Sequence, residues 1–325
     1  MSINVRPYSH NDIDIWDSFC GEALQATFLH TRRFLSYHGD RFEDQSLLIE
    51  EDGKLLGLLP AAVSLSEEKC VVSHPGITFG GVLHQGSLRG SQMMNALGKI
   101  CHYYFALGYT KIIYKAVPTF YHLAPTQDDL YALFRFGAQR TRCDISSTID
   151  IQHRLPVSER RRRGLKKAMK AGVEVIVGHQ HLPAFWAVLQ DNLEKKHGAQ
   201  PVHNLDEITL LTERFPENTA CICAITSGTV VAGILLFITP VTLHAQYIAS
   251  SDLGYECSAL DAVFEYAIQY AKKSDKRWFN FGTSTESAGM VLNEGLYRFK
   301  SEFGAGGTVH EFYELELTED QHGII

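Results

Sequence analysis

The residue types needed to move an acyl group are gathered in one stretch, Trp278 to Phe303 (WFNFGTSTESAGMVLNEGLYRFKSEF). An apolar run over 277–282 ends at Gly282 and empties into Thr283, Ser284, Thr285 and Glu286. Asn293 then opens about two turns at helical spacing that carry Arg298 and Lys300. In open α/β sheets, ligands gather just beyond the carboxyl ends of strands. Hydroxyls, a carboxylate, an amide and two cations at such a place suit acyl transfer to an amine. That reaction needs a group to take the amine's proton and donors to hold the developing oxyanion. The same residues also describe a polar turn followed by a capped helix.

A second concentration of chemistry is basic. Arg160 to Arg163, Lys166, Lys167 and Lys170 place seven cations within eleven residues. On a helix, the three- and four-residue spacing stacks Arg160, Arg163, Lys167 and Lys170 on one side. Guanidinium and ammonium groups so arranged suit phosphates, and a solvated helix face is the alternative. In an otherwise acidic chain, the concentration favours an anionic partner.

The elements that must carry these groups come in two similar series. Ser46 to Ser64 reads as a β-hairpin around Asp52-Gly53, and Cys221 to Ile238 as another around Ser227-Gly228. Each is followed by a helix (91–107, then 259–272) and a strand (110–117, then 277–281). Gly53 and Gly228 lie 175 positions apart, and the strands that follow about 167 apart. That recurrence points to a duplicated α/β unit. A boundary is expected near 145–157, before a helix capped by Ser158 and ending at Gly172. A short strand and a helix over 184–196, started by Pro183, should follow.

Composition bounds the rest. A chain of 325 residues suits two domains, 1–150 and 151–325, and 45% hydrophobic residues can fill their cores. A formal charge of −7 argues against DNA as a partner. Seven cysteines show no CxxC spacing, so no metal is expected, and Cys221 and Cys223 should share one face of a strand. The N-terminus lacks the apolar core of a signal peptide. The longest apolar stretch, 230–241, is too short to span a bilayer, so a cytoplasmic protein is expected.

The runs HAQYIASSDLGYECSALD (244–261) and FNFGTSTESAGMVLNEGLYRFKSEFGAGG (279–307) resemble the C-terminal half of FemAB-like GNAT acyltransferases. The likeness extends more weakly back to SERRRRGLKKAMKAGVEV, and in the first half rests on HPGITFGGVL. It implies two tandem GNAT-like domains, each a mixed, mostly antiparallel sheet flanked by helices. It also implies transfer of an acyl or aminoacyl group to an amine in a groove between them. By this resemblance Lys300, following Phe299, would stabilise the tetrahedral intermediate. Ser284, Glu286 and Asn293 fall on the polar loop, with Glu286 as candidate base or simply a surface carboxylate.

The donor segment departs from the family pattern. Acyl-CoA enzymes carry R/Q-x-x-G-x-G/A before a helix, so that backbone N–H groups cradle a pyrophosphate. Aligned on Ala259, this chain has Gly254 for the leading Arg/Gln and Cys257 for the middle glycine. Ser258 reads as an N-cap there, and Gln246 and Tyr247 sit on the strand beside it. Tyr247 would protonate a leaving thiolate or pack in the core. His197 and His203 would line an acceptor pocket or a plain helix connection, and the loop containing His74 a wall of the groove or a plain turn.

The reading that results is an N-acyltransferase with no tightly bound cofactor. Its donor is acyl-CoA, with aminoacyl-tRNA kept open, and its acceptor the amine of an amino sugar or cell-envelope precursor. The rivals are a peptidoglycan aminoacyltransferase and a non-catalytic sugar-nucleotide-binding protein. The acceptor, transferred group and oligomeric state are not legible.

Overall fold

The computed structural model describes residues 3–319, without the side chains of Lys196 and His197. The chain divides into two compact units. One runs through Asp144 and takes in Ser287–Met290 and the segment from Val309; the other comprises Ile145–Glu286 and Val291–Thr308. The sequence division at 150/151 differs from this in two respects. The first unit ends at Asp144, within the strand that runs to Asp150, and the segment from Val309 joins that unit by strand pairing.

In the first unit, strands β1 (Ile3–Pro7), β2 (Leu47–Glu51), β3 (Lys54–Leu59) and β6 (Leu83–His84) form an antiparallel sheet. β4 (Ala62–Val63) pairs with β5 (Cys70–Val72), which runs parallel to β7 (Lys111–Lys115). Helices α1 (Ile13–Glu22), α2 (Arg32–Leu35), α3 (Ser91–Ala106) and α4 (Asp128–Arg135) complete it. Leu97, Ile100 and Tyr104 of α3 pack on Leu47, Ile49 and Ile112. β8 (Gln139–Asp150) leads into the second unit.

There, α5 (Glu159–Lys170), β9 (Glu174–Val177), α6 (Leu182–His197) and α7 (Leu205–Arg214) precede the hairpin β10 (Thr219–Thr226) and β11 (Thr229–Ile238). Then come β12 (Thr242–Ser250), α8 (Asp252–Cys257), α9 (Ala259–Lys273) and β13 (Trp278–Thr283). A small hairpin, β14 (Thr285–Glu286) and β15 (Val291–Leu292), leads to α10 (Glu294–Ser301). β16 (Gly306–Glu316) ends the described chain, its later half antiparallel to β7.

The pairing β9-β10-β11-β12 is antiparallel, β12 and β13 are parallel, and β13 meets the end of β8 antiparallel. α6 packs on β11 and β12, and α9 on β10 and β11. Burial by both helices explains why β11 reads as a continuous apolar run rather than an alternating one. Phe264, Phe279, Phe281 and Phe303 close the core beneath.

Both expected hairpins form. Asp52 and Gly53 (φ 49° and 78°) and Ser227 and Gly228 (φ 50° and 76°) take the doubly left-handed turn that matches strand twist. Ser158 caps α5 by accepting from Arg161 N, and Pro183 lies in the first turn of α6. The Sγ atoms of Cys221 and Cys223 lie 3.6 Å apart on one face.

Candidate functional site

The second unit gathers most of the chemistry-bearing residues around β12, β13 and three helices. Parallel pairing of β12 with β13 runs only from Thr242↔Trp278 to His244↔Asn280. Beyond that register β12 continues to Ser250, while β13 turns at Gly282 (φ 77°). Gln246 is the extra residue of a β-bulge, since Tyr247 pairs with Leu235 and Ala245 with Leu236. Where pairing stops beside a bulge, strand edges offer backbone groups to a ligand.

Lys300 anchors this place. Its side chain is 4% exposed, and its Nζ donates to the carbonyls of Gly282 (3.1 Å) and Thr283 (2.6 Å). With no carboxylate partner among the described residues, burial pulls the ammonium down to about 7. An ammonium has three protons; two are held by backbone carbonyls, and the third has no protein partner among the described residues.

The other residues of the polar loop divide by role. Asn293 caps α10, its Oδ1 accepting from Leu296 N, and its Nδ2 donates to Glu286 Oε1 at 2.8 Å. These two thus stitch the exposed β14–β15 hairpin to the helix start. Ser284 is 1% exposed, and its Oγ has no hydrogen-bond partner among the described residues. Its backbone ties β8 to α10, donating to Ile145 O and accepting from Asn293 N.

Beneath the strand ends lies a polar cluster absent from the sequence candidates. Asn280, fully buried, donates Nδ2 to Ser146 Oγ and Thr148 Oγ1 at 2.7 Å each. Its Oδ1 accepts from Gly282 N and lies 2.7 Å from His244 Nδ1. Burial, with Lys300 nearby, lowers the His244 ring to about 4. Farther along β12, Tyr247 Oη lies 2.5 Å from His203 Nδ1, and Trp186 stacks edge-on against Tyr247. Burial pushes the Tyr247 phenol up to about 12. Gln246 hydrogen-bonds both His244 and Tyr247.

The basic helix and the donor segment meet at one cavity of about 520 Å³. Arg160, Arg163 and Lys167 line it from α5, and Gly254, Tyr255, Ser258 and Leu260 from α8 and α9. The expected cap at Ser258 is not made. That residue is left-handed (φ 60°), and its side chain makes no cap bond. The start of α9 therefore keeps the partial positive charge of an uncapped helix beside three cations.

Two further corrections apply here. The segment aligned with a glycine loop is folded as α8, capped by Ser251 rather than open to a pyrophosphate. Gly254 serves packing, because a Cβ there would lie 2.4 Å from Val231 O. Ala259 is buried in the first turn of α9. Arg161 and Asp261 also line the cavity, but Arg161 is buried and commits its charge to carboxylates. It pairs with Asp261 and Glu302 at 3.1 Å each and stacks on Phe299 and Phe303.

Two candidates stand apart. His74 lies in the first unit, buried, its Nδ1 accepting from Gly76 N; burial and the neighbouring His38 and Lys115 lower it to about 2. A neutral ring so held is a poor phosphate ligand, and it forms part of the folded loop instead. The side chain of His197 lies outside the described residues. Among the described residues no group of three or more His, Cys, Asp or Glu could hold a metal, and no helix is long and apolar enough to cross a membrane.

The match to a protein family falls on this unit. Residues 157–301 match the family model of an acetyltransferase (GNAT) domain. The fold of the chain is similar to that of FemX (TM-score 0.68, 11% identity, 99% of each chain). It is also similar to L-PGS from Bacillus licheniformis (0.62, 13%, 94% of this chain and 91% of that one). A tandem GNAT protein from the clavulanic acid biosynthesis pathway matches at 0.51 and 10% identity, over 98% and 99% of the two chains. No curated protein matches the sequence. At these identities the structural likenesses speak for the fold.

Proposed function

We propose that this chain, whose residues 157–301 match an acetyltransferase (GNAT) domain and whose fold is similar to that of FemX, is an acyltransferase that moves an acyl or aminoacyl group from a phosphate-bearing donor to an amine. The observation that carries this is the cavity where Arg160, Arg163 and Lys167 face the uncapped start of α9. Three cations and a helix N-terminus favour phosphate oxygens, whether in acyl-CoA or at the 3′ end of a charged tRNA.

The donor's reactive arm then extends along β12, past the bulge, toward the end of the β12–β13 pairing. There the carbonyl carbon meets the amine. Lys300 donates its third proton to the developing oxyanion, pre-positioned by its bonds to Gly282 and Thr283. The acceptor is the amine of an amino sugar or cell-envelope precursor, a reading that rests on the resemblance to FemAB-like enzymes. His203 and Tyr247 mark the wall of β12 nearest that acceptor.

One observation favours the aminoacyl-tRNA donor specifically. α8 occupies the place of a pyrophosphate-cradling loop, and Ser251 already satisfies Gly254 N. An RNA 3′ end carries no pyrophosphate and does not need that cradle. Acyl-CoA stays in the reading because the α5 cations alone can hold its phosphates.

Mass spectrometry tests the proposal. The protein is incubated with acetyl-CoA or an aminoacylated RNA minihelix and a panel of amino sugars and amine-bearing envelope precursors. An acylated amine formed with loss of donor is the expected result. Donors that stay intact and bind nowhere, while sugar nucleotides alone raise the melting temperature, would establish the non-catalytic alternative.

A further inference from the structure

Asn280 is placed to decide which nitrogen of His244 carries its hydrogen. The amide sits at the last paired register of β12 and β13, fully buried. Its Nδ2 is committed as donor to Ser146 Oγ and Thr148 Oγ1, and its Oδ1 accepts from Gly282 N. Those contacts settle which end of the amide is oxygen. The atom 2.7 Å from His244 Nδ1 is therefore an acceptor, and Nδ1 must be the protonated nitrogen. A neutral ring in that tautomer has its basic lone pair on Nε2.

The ring's position gives this a use. His244 is half-buried, and it stands where the strands stop pairing, beside Gly282, whose carbonyl holds Lys300. Lys300 on α10 is the charged group acting on the ring, with Asn280 on β13 and Gln246 on β12 as its polar neighbours. Gln246 also hydrogen-bonds the ring. Burial and the lysine keep it neutral through the physiological range.

We propose that His244 takes the proton released by the attacking amine, and that Asn280 is the positioning residue that holds it in the required tautomer. This rests on the acyl-transfer reading above. The amine lone pair forms the C–N bond, and the carbonyl π pair moves to oxygen beside Lys300. The cationic nitrogen of the intermediate is far more acidic than a free ammonium, and it gives a proton to Nε2. As the carbonyl re-forms, the C–S or C–O bond to the donor breaks. The leaving atom takes a proton from Lys300, and exchange with water then resets both side chains.

Long-range ¹⁵N–¹H spectra of histidine-labelled protein read the tautomer without any substrate. The expected spectrum shows His244 protonated on Nδ1, titrating below pH 5. Asn280→Asp replaces the amide by a carboxylate and should raise that titration by more than one pH unit. The acidic limb of the kcat profile, measured with the best donor–amine pair from the mass-spectrometric screen, should move with it. A merely structural role would not move both. His244→Gln should lower kcat roughly 10²–10³-fold and leave donor binding within twofold.

An Nε2-protonated ring, or His244→Gln turning over within threefold of the wild type, overturns the proposal. A wild-type protein that binds no donor overturns the acyl-transfer reading and this proposal with it, even if the tautomer is as expected. Donor binding that survives with His244 inactive as a base would overturn this proposal alone.

Discussion

Among the described residues each unit buries one lysine against backbone carbonyls and away from carboxylates, yet the two sites are built for different ends. Lys115 of β7 is 7% exposed; its Nζ donates to the carbonyls of His74 (3.1 Å) and Ile77. Lys300 of α10 is 4% exposed and bonds the carbonyls of Gly282 and Thr283. Burial lowers both ammonium groups to about 7. What differs is the surroundings. Around Lys115 the 73–80 loop closes on itself, with Lys115 N donating to Ser73 Oγ and Gly80 N to Lys115 O. Around Lys300 the carbonyls it holds lie where two strands stop pairing. The same buried cation thus locks a loop in one unit and faces an open strand end in the other.

Substitution of both lysines gives the largest contrast. Lys300→Met should lower turnover about 10²–10³-fold, as loss of an oxyanion donor does, with the fold retained. Lys115→Met should leave turnover per folded molecule within about twofold. Equal loss of activity from the two would erase the distinction, and steady-state assay beside circular dichroism decides it.

Donor affinity comes next. The combined substitution Arg160→Ala, Arg163→Ala and Lys167→Ala should weaken donor binding roughly 10–100-fold and flatten its dependence on salt. Lys300→Met should scarcely change either quantity. Titration calorimetry at several ionic strengths reads both.

Urea unfolding sharpens the first unit's side. Lys115→Met leaves the His74 and Ile77 carbonyls without that donor, which costs about 1–3 kcal/mol. A variant as stable as the parent would mean that the loop is held by its other bonds.

The pH dependence of stability bears on both units. Both lysines have folded values near 7, below the unfolded 10.5. Between those limits the unfolded chain binds more protons, so stability rises as pH increases from about 7 to 10. Lys115→Met should reduce that rise in the urea midpoint. On the acid side, His30 and His244 are lowered to about 4 and His74 to about 2, mainly by burial. Stability should therefore fall as pH drops below about 6.5.

Local signals in the sequence were read correctly where one turn or one cap decides the outcome. Asp52-Gly53, Ser227-Gly228, Ser158 and Asn293 do what their chemistry suggests. The stacking of Arg160, Arg163 and Lys167 on one face of α5 was legible from helical spacing, whereas their meeting with Gly254 and Ser258 at one cavity was not. Arg161 escaped because the run of four arginines hides a stripe: Arg161, Leu165 and Ala168 share the inner face of α5. Reading that stripe first would have separated it from its neighbours. α8 carried its own signal in Ser251, an N-cap that the search for a glycine loop passed over. The Asn280 cluster had none. Its partners Ser146 and Thr148 lie more than 130 residues away and meet it only through the pairing of β8 with β13. His203 and Tyr247 likewise join across 44 residues.

The most direct test is equilibrium titration of the wild type, the Arg160/Arg163/Lys167 triple alanine variant and Lys300→Met with an aminoacylated RNA minihelix and with acetyl-CoA. At least one donor should bind the wild type and Lys300→Met alike, and the triple variant at least tenfold more weakly. Undiminished binding by the triple variant would contradict the account, because the donor's phosphates would then lie elsewhere than beside the start of α9.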